Sequence, residues 1–467
     1  MPLSAKPSLD TLLIKGGKAL EGTIVAAGAK NAMTKLLVAS LLSDKKCIFH
    51  NVPNIGDVEI TVELCKEIGS EIIWEKEKKI LEITTKKIKS TYVSQRFSGA
   101  NRIPILLIGA LLGRTQEDII VPTVGGDKLG NRPLNFHVDA LTQLGAFVEY
   151  REMKNEGAYF AQAHQGLKAA CITLPYPSVG ATENALLAAI RAKGTTEIKN
   201  IAIEPEVMDL ILFLQKLGAE IAFTKDRSLL VHESSNFKEV EHHVITDRNE
   251  VASYAIAAIS TQGRIFIEKA QHEHMLSFLY HLQRIGAGFE IKENGIEFFY
   301  VSKLKGGVFI ETNVHPGFMT DWQQPFGVLL SQCEGISMIH ETVYENRFGY
   351  VNTLIDMGAN AQLFTQCLGN SPCRYSLHKH KHSLIIQGKT PLTPQHITIP
   401  DLRAGFAYII AALLANGKSQ IEGAHFLDRG YENFIEKLQG LGADIERIKN
   451  EPEPTPLKDL LRKKVPN

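Results

Sequence analysis

The sequence predicts an α/β protein of two pseudo-symmetric halves. Each half holds three repeated units whose buried helices lie inside and whose sheets wrap around them. Three observations predict this. A stretch ending in Leu/Ile/Met-Gly, followed by a small residue and an apolar or alternating segment, recurs at Gly69, Gly145, Gly218, Gly286, Gly358 and Gly442, at intervals of roughly 75 residues. Six other segments carry apolar residues on most sides, so the helices they form should be buried. Each of those six is followed by a short polar turn and a β-rich segment.

In chain order, AKNAMTKLLVASLL (29–42) leads into CIFH, and LCKEIGSEII ends that unit's outer helix. RIPILLIGALLG (102–113) leads into DIIV and then LTQLGAFVE, and ATENALLAAI (181–190) into TEIK and LQKLGAEIA. The second half repeats the plan. NEVASYAIAAI (249–259) precedes RIFI and LQRIGAGFE, DWQQPFGVLLSQ (321–332) precedes ISMI and LIDMGANAQ, and DLRAGFAYIIAALLA (401–415) precedes SQIE and LQGLGADIE. The recurring Gly is where a helix ends in the left-handed conformation that lets a strand follow. The polar stretch ESSNFKEVEHH (233–243) marks the expected boundary between halves. Residues 362–390 are longer than their counterparts, and EPEPTPLKDLLRKKVPN (451–467) reads as a loosely packed tail. The alternating His378, His380 and His382 sit among lysines in that longer segment, which favours a solvated strand or loop, and no metal is expected.

Composition narrows the function. The chain has 467 residues, 44% hydrophobic and 22% charged, with 51 Lys+Arg against 51 Asp+Glu. That excludes disorder and gives no global signature of nucleic-acid or membrane-surface binding. The cysteines are scattered, with no CxxC pair, which predicts reduced thiols in a cytoplasmic protein. The N-terminus lacks a signal-peptide apolar core, and the longest apolar runs, 103–113 and 406–415, are short of the roughly 18–20 residues of a membrane span.

The chemistry collects at the starts of the buried helices: Lys30 and Asn31, Arg102, Ser178 to Gly180 with Thr182, Asp247 with Arg248, Asp321, and Asp401 with Arg403. Helix N-termini offer free N–H groups and partial positive charge, which suit phosphates and carboxylates. For Thr182, Asp247 and Asp401, helix capping explains the residue equally well. Lys30 and Arg102 oppose the helix dipole, so an anionic ligand is the compensating reason. VPTVGGDKLGNRP (121–133) has the composition of a mobile loop closing over a ligand and lacks P-loop spacing. HPGFMTDWQQP (315–325), HETVYENRFGYV (340–351) and FLDRGYENF (426–434) add arginines and carboxylates. Together these point to an anionic substrate handled by acid–base chemistry without a metal.

The motifs GAKNA (28–32), GGDKLGNRP (125–133), SVGAT (178–182), HPGFMTD (315–321), ETVYENRF (341–348), DLRAG (401–405) and DRGYE (428–432) resemble those of the UDP-N-acetylglucosamine 1-carboxyvinyltransferase family of enolpyruvyl transferases. The resemblance runs from about Leu13 to Ile448 and implies two inside-out α/β barrel domains. One lobe is expected from 1–29 plus 246–450, the other from 30–245 with the loop 121–133. The implied substrates are phosphoenolpyruvate and UDP-N-acetylglucosamine, with no cofactor, nucleic-acid or membrane partner. By resemblance, Lys30 and Asn31 hold phosphoenolpyruvate, and Arg132 and Arg429 bind its phosphate and carboxylate. Arg102, Arg132, Pro133, Leu134, Asn135, Phe136, Tyr176, Pro177, Ser178, Val179, Gly180, Asp321 and Val343 line the UDP-sugar site. Arg347, Asp401 and Arg403 stand near the domain interface. Asp321 is the implied general base and Asp127 the acid. The chain departs from the common pattern at Asp127, where most members have Cys, at Tyr176, where Lys is frequent, and at Asn135, where Asp is frequent. The rivals are the sister transferase acting on shikimate 3-phosphate and a non-catalytic repeat scaffold. The scaffold leaves Lys30, Arg102, Arg132 and Arg429 without a purpose.

Overall fold

The computed structural model describes residues 10–125, 134–153, 156–370, 373–376 and 379–448. Asp127, Lys128, Arg132, Pro133, His378 and the tail 451–467 lie outside the described residues.

The six apolar segments form the helices Lys30–Ser40, Pro104–Leu111, Val179–Ala189, Arg248–Ser260, Thr320–Leu330 and Leu402–Leu414. Arg248–Ser260 is buried at every position, as a helix without a polar face must be. The outer helices have one polar face, and Pro205–Leu217 ends at Gly218 in the left-handed region. All six recurring glycines have φ between 79° and 122°.

Among the described residues, six sheets surround the buried helices. One shows the common plan. Glu21–Val25 runs parallel to Arg264–Glu268, which pairs antiparallel with Gly295–Phe299, which pairs antiparallel with Gly288–Lys292. Parallel strands need a crossover, and the buried helix supplies it. In one sheet the parallel edge shrinks to the single bridge Tyr92–Ile120. Like Glu21–Val25 in its sheet, strands from distant parts of the chain complete two others. Thr11–Lys15 lies between Lys418–Glu422 and Asp444–Ile448, and Val240–His243 pairs with Cys47–His50.

The buried hydrophobics form two clusters, one drawn from 12–26 and 251–445 and the other from 29–244. This is a two-lobed, inside-out α/β fold. The chain passes between lobes twice, side by side. Ala29 N–H donates to Ile245 O at 2.7 Å and Asp247 N–H to Ala27 O at 2.9 Å. The crossing is so close to the next loop that a Cβ at Gly28 would stand 1.9 Å from the Asn51 carbonyl oxygen. It comes just after the polar stretch 233–243, whose end is a strand of the second lobe.

The longer segment of the fifth unit differs from its expected solvated state. Its strand Ser383–Gly388 is central in a four-stranded sheet, and His382 and Tyr375 are buried. Alternating His and Lys read as a surface pattern because His340, the buried ring that His382 packs against, lies outside the segment.

Inside the second lobe, Pro104–Leu111 packs on Val179–Ala189 through Gly109. Its N–H donates to Asn184 Oδ1 at 3.0 Å, and Asn184 Nδ2 donates to Ile105 O at 3.2 Å. A Cβ at Gly109 would lie 2.2 Å from Asn184 Oδ1 and 2.6 Å from the Asn184 carbonyl oxygen. Gly109→Ala is therefore expected to destabilise by about 1–3 kcal/mol through overpacking, read as a lowered thermal midpoint. An unchanged midpoint would show that the helices part without cost.

Candidate active site

Between the lobes lies a cavity of about 540 Å³. All six buried helices bring their first turns to it, through Lys30 and Asn31, Ile103 and Ile105, Ser178 to Gly180, Arg248, Thr320 and Asp321, and Leu402 and Arg403. The positive dipole ends of six helices thus face one space, which suits an anion.

Among the described residues three ion pairs join the lobes, two of them on the cavity wall. Asp57, at the start of helix Gly56–Ile68, receives Lys30 Nζ at 2.7 Å from its own lobe and Arg429 Nε at 3.1 Å from the other. Burial alone would raise the Asp57 carboxyl, but Lys30 and Arg429 outweigh it and hold the group below the ordinary carboxylate value. Arg429 Nη2 also donates to Ala100 O at 3.2 Å. Glu206 takes a two-point contact from Arg248, Nε to Oε1 and Nη2 to Oε2, each 3.0 Å. Burial pushes Glu206 up, and Arg248 brings it below its usual value. Glu432 closes the third pair with Lys79.

Asp321 is clamped from two sides within its lobe. Arg347 Nη2 donates to Oδ1 at 2.5 Å and Arg403 Nε to Oδ2 at 3.3 Å. Arg403 is itself held by Tyr431 OH at 3.2 Å, whose oxygen meets Ser253 Oγ at 2.8 Å. The carboxylate is oriented at a helix N-terminus, on the cavity wall. On the same side, Glu341 accepts from Thr320 Oγ1 at 2.9 Å and from the backbone N–H groups of Val343 at 2.8 Å and Tyr344 at 3.1 Å, which sets the Val343 turn. Arg374 Nη2 and Tyr375 OH donate to Val343 O at 2.7 and 2.6 Å, and the Arg374 guanidinium covers the Tyr176 ring at 4.2 Å. Burial raises the Tyr176 phenol to about 12, against the pull of Arg374.

Of the residues expected from sequence, Lys30, Asn31, Arg102, Phe136, Tyr176, Pro177, Ser178, Val179, Gly180, Asp321, Val343, Arg347, Arg403 and Arg429 all line the cavity. Others do not. Leu134 is buried in the second lobe's core, and Asn135 is exposed at the start of helix Asn135–Gln143. Asp401 is absent from the lining; its Oδ1 accepts from the N–H groups of Arg403 at 3.0 Å and Ala404 at 3.1 Å, a capping role. Thr182 and Asp247 also serve local structure. Thr182 Oγ1 accepts from Ala202 N–H at 2.9 Å, and Asp247 caps its helix and receives Lys30 N–H at 3.2 Å. Asp127, Arg132 and Pro133 lie outside the described residues.

Sequence reasoning missed Asp57, Glu183, Glu204, Glu206, Arg374 and Tyr375, which also line the cavity. Glu183 had a readable signal, since it is an acid in the otherwise apolar ATENALLAAI. Asp57 and Glu206 sit on outer helices, where acids are ordinary.

The EPSP synthase (3-phosphoshikimate 1-carboxyvinyltransferase) family profile matches residues 14–438. The UDP-N-acetylglucosamine 1-carboxyvinyltransferase of Protochlamydia amoebophila (strain UWE25) is 62% identical over 443 residues, 95% of each chain. The protein of that name from Chlamydia abortus (strain DSM 27085 / S26/3) is 56% identical over 94% of this chain and 98% of its own. Among solved structures, the enolpyruvyl transferase NikO from Streptomyces tendae shares the fold, with a TM-score of 0.84 at 21% identity, covering 95% of this chain and 100% of that one.

Glu183 offers a test of the cavity's electrostatics. Burial raises its carboxyl to about 7, with Lys35 opposing and Glu206 and Glu204 adding, and neither oxygen has a hydrogen-bond partner. The folded state holds this proton more tightly than the unfolded chain. Ionisation therefore costs increasing stability as pH rises from about 4.5 to about 7, and the cost then levels off. Glu183→Gln removes the cost. The variant should gain on wild type by up to about 3 kcal/mol between pH ~5 and pH ~8, followed by denaturant unfolding. A stability difference that does not change with pH would contradict the assignment.

Proposed function

This chain belongs to the UDP-N-acetylglucosamine 1-carboxyvinyltransferase branch of the EPSP synthase family, and from that premise we propose that it transfers enolpyruvyl from phosphoenolpyruvate to the 3-hydroxyl of UDP-N-acetylglucosamine. Phosphate is released, and the step opens peptidoglycan synthesis. The observation that carries the reading is the convergence of six helix N-termini and the cations Lys30, Arg102, Arg403 and Arg429 on one interlobe cavity. Such a site suits two polyanionic substrates. Relatives named for the UDP-sugar reaction run from 36% to 62% identical over more than nine-tenths of this chain, which favours the UDP-sugar over shikimate 3-phosphate.

The reaction is an addition followed by an elimination. A proton added to the methylene carbon of phosphoenolpyruvate leaves its central carbon electrophilic. The sugar 3-oxygen bonds to that carbon as its proton passes to Asp321, which the two guanidiniums hold at the cavity wall. The tetrahedral adduct then loses a methyl proton and its C–O bond to phosphate, restoring the enol ether. Lys30 and Arg429, already joined at Asp57, are positioned to receive the phosphoenolpyruvate anion. Asp127 and Arg132 complete the set, Arg132 as an anion ligand and Asp127 as the acid. A free Asp has a pKa near 3.9, so at pH 7 only about one in a thousand carries a proton. Substrate phosphate and exclusion of water both raise that fraction, so the acid is armed by bound substrate.

Phosphate release should require both phosphoenolpyruvate and UDP-N-acetylglucosamine. Release with shikimate 3-phosphate in place of the UDP-sugar, or none with either acceptor, would overturn the reading. Asp127→Asn should lower turnover by a factor of about 10²–10⁴ while leaving UDP-sugar affinity nearly unchanged. Near-normal turnover would remove Asp127 from the mechanism. A carboxylate attacks an epoxide far less readily than a thiolate does. The wild-type chain should therefore resist the epoxide fosfomycin and Asp127→Cys should become sensitive, as followed by covalent mass shift.

A further inference from the structure

The fifth unit holds a second constellation that the proposed reaction does not use. Strands Gly335–His340 and Ser383–Gly388 pair antiparallel with His340 opposite Ser383, so His340 and the neighbouring His382 are fixed on adjacent strands. Cys367 and Cys373 belong to the segment that precedes His382. One ligand atom from each of these four residues lies within 4.8 Å of every other.

We propose that His340, Cys367, Cys373 and His382 form a closed site for one divalent thiophilic cation, best matched by Zn²⁺. Two thiolates and two neutral imidazoles are the donor set of a tetrahedral structural zinc centre. At zinc–ligand distances of about 2.0–2.3 Å, the four donors of such a centre stand roughly 3.3–3.8 Å apart. A small turn of the thiols, of which Cys367 is exposed and Cys373 half-buried, brings the cluster to that size.

The hydrogen bonds around the histidines already select the tautomer that binds a metal. The Ser383 hydroxyl donates its one proton to Gln366 O at 2.7 Å, so it accepts from His340 Nδ1–H at 2.8 Å. The Nε2 lone pair of His340 therefore points the other way, and this buried atom has no hydrogen-bond partner among the described residues. His382 repeats the arrangement. A carbonyl oxygen can only accept, so Nδ1–H donates to His380 O at 2.7 Å, and Nε2 faces Cys367 Sγ at 3.1 Å. Outer contacts of this kind, to a carbonyl or hydroxyl, are how metal-ligating histidines are oriented. Gly369 lets the loop pass over His340, since a Cβ there would come within 2.2 Å of the ring Cδ2.

None of the four ligands lines the substrate cavity, so the metal is structural. Its effect reaches the cavity through the chain. Cys373 is followed directly by Arg374 and Tyr375, which hold Val343 and cover Tyr176. A cation at the cluster braces that wall.

The test is metal content of the full chain, desalted after exposure to Zn²⁺ or Co²⁺, by elemental analysis and absorption. We expect about one equivalent per chain, thiolate-to-cobalt charge transfer and the intense bands of tetrahedral Co²⁺. Cys373→Ser, and separately His382→Gln, should lose both signals. Alkylation followed by peptide mapping gives a check that needs no variant. Cys367 and Cys373 should be protected when loaded and labelled after chelation, while the exposed Cys171, apart from the cluster, is labelled in both states. Less than about a tenth of an equivalent in the wild-type chain, retention of metal by the folded variants, or a Cys367–Cys373 disulfide in the metal-exposed protein would each overturn the proposal.

Discussion

The constraint from which the rest follows is that six helices without a polar face must still end somewhere. A buried helix end leaves backbone N–H groups that need partners, and a core of apolar side chains offers none. Wrapping sheets around three helices covers their sides, and it also leaves their first turns at one mouth of the lobe. Two such mouths set against each other make the cavity. Some of those N–H groups are satisfied locally, as by Asp247, Asp401 and Ser178. The shared space between them carries the positive field that an anionic substrate requires. Fold and chemistry are thus one solution to one problem of polar-group burial.

Charges bridging that space have two jobs. Asp57 with Lys30 and Arg429, and Glu206 with Arg248, hold the lobes together across the cleft. Burying such pairs contributes little net stability, whereas leaving one partner alone costs several kcal/mol. An anion entering the cavity competes with Asp57 for its two cations, so substrate binding and lobe contact are coupled through one carboxylate. The clamp on Asp321 is different, because all three residues belong to one lobe and its geometry survives any relative motion of the two.

Much of this was legible in the residues. The spacing of Gly69, Gly145 and their counterparts gave the number of units, and apolar patterning told buried helices from outer ones, because both signals are local. The helix starts gave Lys30, Ser178, Asp321 and Arg403 for the same reason. What was not legible depends on long-range pairing. Asp57 and Arg429 meet across |i−j| = 372, and neither segment marks the other. Asp401 was read by resemblance as an interface position, yet the capping alternative is the one its hydrogen bonds describe. The His-Lys alternation near His382 was misread because periodicity reports a face without saying what covers it. Here the cover is His340, a strand away in space and a whole helix away in sequence.

One consequence of the strand exchange concerns the order in which the molecule is made. Thr11–Lys15 and Glu21–Val25 are synthesised well before their partners, Lys418–Glu422, Asp444–Ile448 and Arg264–Glu268. The lobe from 29–244 is continuous in the chain and can condense on the ribosome while those two strands still wait. Glu21–Val25 waits for Arg264–Glu268, and Thr11–Lys15 presents unpaired edges, with Leu12 and Ile14 uncovered, until the sixth unit emerges. The lobe drawn from 12–26 and 251–445 is thus sealed only when the sixth unit supplies Lys418–Glu422 and Asp444–Ile448.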